Sequence, residues 1–252
     1  MASALVAGGC GSDDDTEAAG DDGAGATIGG TVLVFAAASL TDAFADLEAA
    51  FEDAHPDADV QLNLAGSSSL REQVLAGAPA DVFASANPAN MAQLVEAGEV
   101  DGEPIVFVHN ELRIAVPPGN PGGVAGLADL ADDELLVGLC AEQVPCGAFA
   151  REALADAGVE PSIDTNEPDV RALLTKLGAD ELDAGIVYAT DVIAAGDAVE
   201  GIEIPADQNV VADYPIAALA NAPNPAAAAA FVELVLAPGG RDILADHGFD
   251  PA

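Results

Sequence analysis

Three hydroxyls fall where a strand-like run gives way to a helix. Ser39 follows the apolar stretch VLVFAAA (32–38) and precedes LTDAF, Ser67 opens SSSL after VQLNLAG, and Tyr188 closes AGIVY (184–188) within GIVYATD. A strand that passes straight into a helix leaves the helix's first backbone N–H groups unpaired and pointing at the junction, where they attract negative charge. Serine and tyrosine hydroxyls at such junctions add neutral donors. The chemistry on offer is therefore the capture of an anion. Taken singly, each serine is also an ordinary helix cap and Tyr188 a half-buried strand residue. Two more helix starts bear on the choice. VPCGAF (144–149) follows the strand-like ELLVGL, and NEPDVRALL (166–174) opens with Glu167, Pro168 and Asp169. Four helix N-termini from separate segments can converge on one point.

Catalysis fits these residues less well. A serine nucleophile needs a base, yet the only histidines are His55, His109 and His247, and no G-x-S-x-G turn is present. Phosphate-cradling, dinucleotide-binding and calcium-loop patterns are also absent from the sequence. An enzyme on the same fold is the alternative of a different class. Five arginines and Lys176 are the only cations, so a bound anion would rest on neutral donors and helix dipoles, each terminus contributing about 0.3 to 1 kcal/mol. Such a donor set argues against phosphate, which can stay protonated and then needs an acceptor, and leaves sulfate and other tetrahedral oxyanions open.

Strands and helices alternate along the chain, which predicts an α/β fold with mainly parallel sheets flanked by helices. Strands are expected at 31–35, 59–64, 80–85, 104–108, 112–116, 134–139, 184–188, 201–205 and 214–219. Helices are expected over Thr41–Ala54, Ser69–Ala76, Pro88–Ala97, Ala148–Ala157, Val170–Leu177, Pro225–Leu236 and Gly240–Ala245. Asn87-Pro88 and Asn224-Pro225 read as a cap followed by proline in the first turn. The strand-like stretches around Val106–Val116 and Val210–Leu219 stand about one domain length apart. They read as two crossings between lobes: 30–110 with 212–252 as a discontinuous first lobe, and 111–211 as the second. A ligand would lie in the cleft between them, at the carboxyl ends of strands.

Composition narrows the partners. The chain has 252 residues and a formal net charge of -38, from six Lys+Arg against 44 Asp+Glu, so its summed field repels nucleic acid and acidic membrane surfaces. The leader MASALVAGGC ends a short run of apolar and small residues in Cys10, and an acidic tether follows it. This reads as the end of a lipoprotein signal with Cys10 as the lipid-accepting residue, and residues 1–29 as signal remnant and tether; the other reading is a flexible, non-native leader. The expected location is extracytoplasmic, lipid-anchored to the outer face of the membrane or periplasmic, with contact to the membrane only through that anchor. In such an oxidising compartment Cys140 and Cys146 pair plausibly as a disulfide, although two reduced thiols in a buried loop fit the spacing too.

The blocks FAAASLTDAF, SSSL followed by AGAPADVFASAN, the VP-C-G turn, DVRALL and GIVYATD carry a specific resemblance, from about Thr31 to the C-terminus. In order and spacing the chain resembles the periplasmic molybdate-binding proteins of ABC transporters. The resemblance implies a two-lobed fold of the type II periplasmic-binding-protein kind, no cofactor, and no enzymatic activity. It implies molybdate or tungstate as ligand, a membrane permease as partner, and a monomer. Carried over by position, Ser39 and Ser67 would donate hydroxyl and backbone N–H groups, Cys146 and Val170 backbone N–H groups, and Tyr188 its O–H. Any molybdenum would be held only as the oxyanion, through these same residues. The family commonly has alanine where this chain has Cys146. A backbone donor survives that change, and a bridge to Cys140 would tie down the ligand loop.

Overall fold

A computed structural model describes residues 28–252, so Cys10 and the acidic tether lie outside the described residues. The elements in chain order are β1 (Gly29–Ala37), α1 (Thr41–Ala54), β2 (Asp57–Ala65), α2 (Ser67–Leu75), β3 (Val82–Ala84), α3 (Pro88–Glu96), β4 (Ile105–Val116), β5 (Val137–Cys140), α4 (Pro145–Asp156), β6 (Thr165–Glu167), α5 (Val170–Gly178), β7 (Ala184–Tyr188), α6 (Ala189–Ala195), β8 (Glu200–Glu203), β9 (Val211–Ala218), α7 (Pro225–Leu236), α8 (Pro238–Asp246) and β10 (Asp250–Pro251). A single 3-10 turn, Ala38–Leu40, joins β1 to α1.

Side chains of a strand alternate between faces, and β1 uses both. Val32, Val34 and Ala36 join the larger core cluster with Phe44, Leu47 and Phe51 of α1 and Phe231 of α7. Phe35 points the other way, into a cluster with Phe83, Leu70, Met91 and Leu94 under α2 and α3. Phe44 meets Phe107 edge-on, with ring centroids 6.2 Å apart, and Phe51 meets Phe231 in the same way at 5.4 Å. Fully burying one such ring contributes about 1.5 to 3 kcal/mol. Both faces of this part of the sheet are thereby covered, which is why its strands read as apolar runs.

The hydrogen-bonded strand order is β2-β1-β3-β9-β4-β7-β5-β6, with β8 and β10 also paired to β4. The flanks are parallel as expected: β1 with β2 and β3, and β5 with β6 and β7. Antiparallel pairing enters with β4 and β9, so the sheets are mixed at their junction. β4 pairs with β9 over residues 105–111 and with β7 over residues 112–115. Between β8 and β9 the Asn209 side chain takes a strand's place. Its Oδ1 accepts the Leu112 N–H at 3.1 Å and its Nδ2 donates to the Leu112 carbonyl at 3.1 Å.

Several boundaries differ from the sequence expectations. The two strands expected at 104–108 and 112–116 are one, because the polar residues between them lie where β4 leaves one set of partners for the other; Asn110 is buried there. The helices expected from Ser69, Ala148 and Gly240 begin at Ser67, Pro145 and Pro238. Their small or proline first-turn residues carry little periodic signal. β6, with the polar sequence TNE, and α6, which follows β7 without a loop, were not expected. Asn87 and Asn224 do cap α3 and α7, accepting N–H groups from Asn90 and Ala227.

Candidate anion-binding site

Ser39, Ser67, Cys146, Val170 and Tyr188 all line one small cavity. Five separate segments deliver them: the 3-10 turn after β1, then the starts of α2, α4 and α5, and the end of β7. The cavity is small, about 10 Å³, too small for a sugar or a peptide. Its walls meet closely across the cleft. A Cβ on Gly66 would lie 2.8 Å from the Pro168 carbonyl oxygen, so glycine permits the approach of the α2 start to the α5 start.

Buried partners fix the positions of the serine hydroxyls. Neither serine caps its own helix, since α1 and α2 have no side-chain cap. Ser67 Oγ accepts the Ala86 N–H at 3.0 Å, which leaves its own hydrogen free to turn elsewhere. Ser39 Oγ lies 2.9 Å from the Tyr214 hydroxyl, and Asn110 Nδ2 donates to that same Tyr214 oxygen at 3.4 Å. Asn110 thus holds the Tyr214 oxygen in place behind Ser39. Tyr188 is buried, and among the described residues its hydroxyl has no hydrogen-bond partner. Its ring sits edge-on to Tyr214 with centroids 5.8 Å apart, near enough for the two hydroxyls to perturb each other without a bond of ordinary geometry between them. Burial pushes the pKa of both phenols up, so both stay protonated. A buried hydroxyl left unpaired costs about 1 to 3 kcal/mol, and an acceptor entering the cavity would recover it.

Backbone donors complete the wall. Cys146 and Val170 lie in the first turns of α4 and α5, whose N–H groups have no acceptor within their own helix and carry the positive end of its dipole. The α4 turn is braced three ways. Cys146 is disulfide-bonded to Cys140 with Cα atoms 5.9 Å apart. Arg151 Nη1 donates to the carbonyls of both Cys140 and Gly147 at 2.8 Å. The Ala141 N–H donates to the Glu167 carbonyl at 2.8 Å. Burial alone would raise the Glu167 carboxyl, but hydrogen bonds from Lys176 and Thr165 outweigh it and hold the group below its usual range. For so short a loop, reducing the disulfide should cost roughly 2 kcal/mol of stability by chain entropy. Urea unfolding with and without reductant measures this, and an unchanged midpoint would show that the bridge does not restrain the loop.

Residues that the sequence did not single out complete the site. Tyr214 and Asn110 stand behind Ser39, and Ala86 fixes Ser67. Their signals were weak but present: Tyr214 is the second of only two tyrosines, and Asn110 interrupts an apolar run. Asp169 lines the cavity as well, so the wall is not built of donors alone. Its Oδ1 is committed as the α5 cap, accepting the Ala172 N–H at 2.9 Å. Asp191 is fully buried beside Tyr188, where Oδ2 accepts the Tyr188 N–H at 3.1 Å and Oδ1 faces Arg171 Nε at 3.5 Å. Desolvation raises its pKa to about 7 against the pull of Arg171 and of the Tyr188 N–H, with Asp42 and Asp169 adding to the rise.

A family model described as bacterial extracellular solute-binding protein matches residues 32–250. The chain is 38% identical over 227 residues to the molybdate-binding protein ModA of Mycobacterium tuberculosis (strain ATCC 25618 / H37Rv), covering 90% of this chain and 87% of that protein. Among solved structures, the Azotobacter vinelandii periplasmic molybdate-binding protein matches with TM-score 0.77 at 19% identity, over 88% of this chain and 99% of that one. The sulfate-binding protein SubI from Mycobacterium tuberculosis H37Rv matches with TM-score 0.80 at 19% identity, over 88% and 87%. At that identity both structures bear on the fold alone, which is the α/β type II periplasmic-binding-protein fold. No helix among the described residues is long and apolar enough to cross a membrane.

Proposed function

The chain belongs to the bacterial extracellular solute-binding proteins and, among them, to the relatives of the molybdate-binding proteins of ABC transporters, and from that premise we propose that it captures molybdate, and tungstate through the same donors, for delivery to a membrane permease. The observation that carries this reading is the buried, unpartnered Tyr188 hydroxyl at a cavity where two serine hydroxyls and the starts of three helices converge. A fully ionised tetrahedral oxyanion accepts from every side, so such a shell can satisfy all its oxygens without a cation in contact. The reading extends to a monomer tethered outside the cytoplasm by lipid on Cys10. It also takes 30–110 with 212–252 and 111–211 as two lobes, a division supported by the exchange of β4's partners near Asn110.

Calorimetry with molybdate, tungstate, sulfate and phosphate tests the proposal. Molybdate and tungstate should bind tightly, and sulfate more weakly because a smaller anion leaves some donors unpaired. Ser39→Ala and Tyr188→Phe should each weaken molybdate binding by about 1.5 to 3 kcal/mol, as for a hydrogen bond to a charged partner. Equal affinity for sulfate would assign the site to another oxyanion. Unchanged affinity in both folded variants would move the ligand elsewhere.

A further inference from the structure

We propose that Arg171 is a latch that holds the two sides of the cleft together over the bound oxyanion. The inference rests on reading the cavity as an oxyanion site. Arg171 is not among the residues that line this cavity, so it acts through others and is a positioning residue. It follows Val170 in the first turn of α5 and reaches across to the opposite wall. There its Nη2 donates to Asp42 Oδ2 in the first turn of α1 at 2.5 Å, and its Nε donates to the Ala38 carbonyl at 3.3 Å. On its own side the same Nε stands 3.5 Å from Asp191 Oδ1, whose other oxygen holds the Tyr188 N–H.

One guanidinium thus touches the supports of three of the five cradle segments: the Ala38–Ser39 turn, the α5 start and the β7 end. Thr41 Oγ1 also donates to the Ala38 carbonyl, at 2.6 Å, so the turn that presents Ser39 is pinned from within its own segment and from across the cleft. Behind Ser39, a second small cavity of about 20 Å³ is lined by Asp42, Arg171, Thr190 and His247, which places the latch at the back of the serine and not at the ligand. The planar fork of an arginine can meet a carboxylate on one wall and keep a second on the other, whereas a lysine's point charge cannot hold both geometries. In a chain with six cations, one is spent between two acidic side chains that face each other across a cleft. Contacts made only when the walls meet slow ligand release without altering ligand entry.

The test measures molybdate dissociation and association rates. The chain has no tryptophan and two tyrosines, both at the site, so tyrosine emission in a stopped-flow chase reports binding directly. Asp42 is half-exposed, and Asp42→Asn should leave the thermal midpoint of the ligand-free protein in place. It should speed dissociation about three- to tenfold with association unchanged. Arg171→Lys should do the same, and adding Asp42→Asn to Arg171→Gln should bring no further acceleration. Slower release in Asp42→Asn would mean that the carboxylate acts only by repelling the anion, and unchanged release would mean that the contact is ornamental; either result overturns the latch. Failure of the wild-type protein to bind molybdate is a separate result, and it removes the oxyanion reading together with the latch built on it.

Discussion

Asp191→Asn is expected to flatten a pH dependence of folding of roughly 4 kcal/mol, centred between pH 4 and pH 7. The carboxyl rises from 3.8 to about 7 in the folded protein, chiefly because it is fully buried, and each pH unit of difference corresponds to about 1.4 kcal/mol. The sign follows from proton counting. Below about pH 4 the group is protonated in both states and costs nothing. Between about pH 4 and pH 7 the folded protein keeps a proton that the unfolded chain has released, so stability from this group falls as pH rises, and above about 7 the loss is complete. Arg171 at 3.5 Å limits the loss without cancelling it. Asparagine can still accept the Tyr188 N–H through its amide oxygen, so the local bond survives the change.

Many other carboxylates titrate over the same range in a protein with 44 acidic residues, and the raw stability profile mixes all of them. The difference between wild type and Asp191→Asn isolates one. Urea midpoints should favour wild type, or match it, near pH 4, and should shift toward the variant by pH 8. A difference that stays constant with pH would mean that Asp191 titrates normally and is hydrated.

What the sequence displayed depended on how locally each feature is written. The strand-to-helix junctions at Ser39, Ser67 and Tyr188 are local, so their convergence on one cavity was open to inference. The continuity of β4 was not, because His109, Asn110 and Glu111 look like a turn when only their neighbours are considered. Asn110 is buried through partners far along the chain: Thr190, whose hydroxyl accepts from it at 2.9 Å, and Tyr214. The Ser39 to Tyr214 bond spans 175 positions and the Arg171 to Asp42 pair 129. No periodicity records such pairs, since they exist only once segments far apart in the chain have packed against each other. The starts of α2 and α4 were placed too late for a simpler reason. Serine, proline and glycine at a first turn look like loop, and here Ser67, Pro145 and Cys146 of those turns line the cavity.

Gly147→Ala should be the most damaging single methyl group near the site. A Cβ there would stand 2.1 Å from the Ala141 carbonyl oxygen and 2.5 Å from that of Cys140, both backbone atoms with no side-chain freedom to yield. Neither carbonyl can move easily. The Cys140 carbonyl accepts from Arg151, Ala141 is tied through its N–H to Glu167, and the disulfide from Cys140 to Cys146 spans the same turn. The start of α4 must therefore shift outward. Overpacking of this kind costs about 1 to 3 kcal/mol, and the shift carries the Cys146 N–H away from the cavity. The variant should melt lower than wild type and bind molybdate at least about tenfold more weakly, a larger loss than the missing stability explains when binding is measured well below the melting range. Breaking the disulfide in the same variant should restore part of its stability, because the turn could then give way. If Gly147→Ala binds and melts like wild type, the close approach of α4 to the end of β5 does not hold the donor at Cys146 in place.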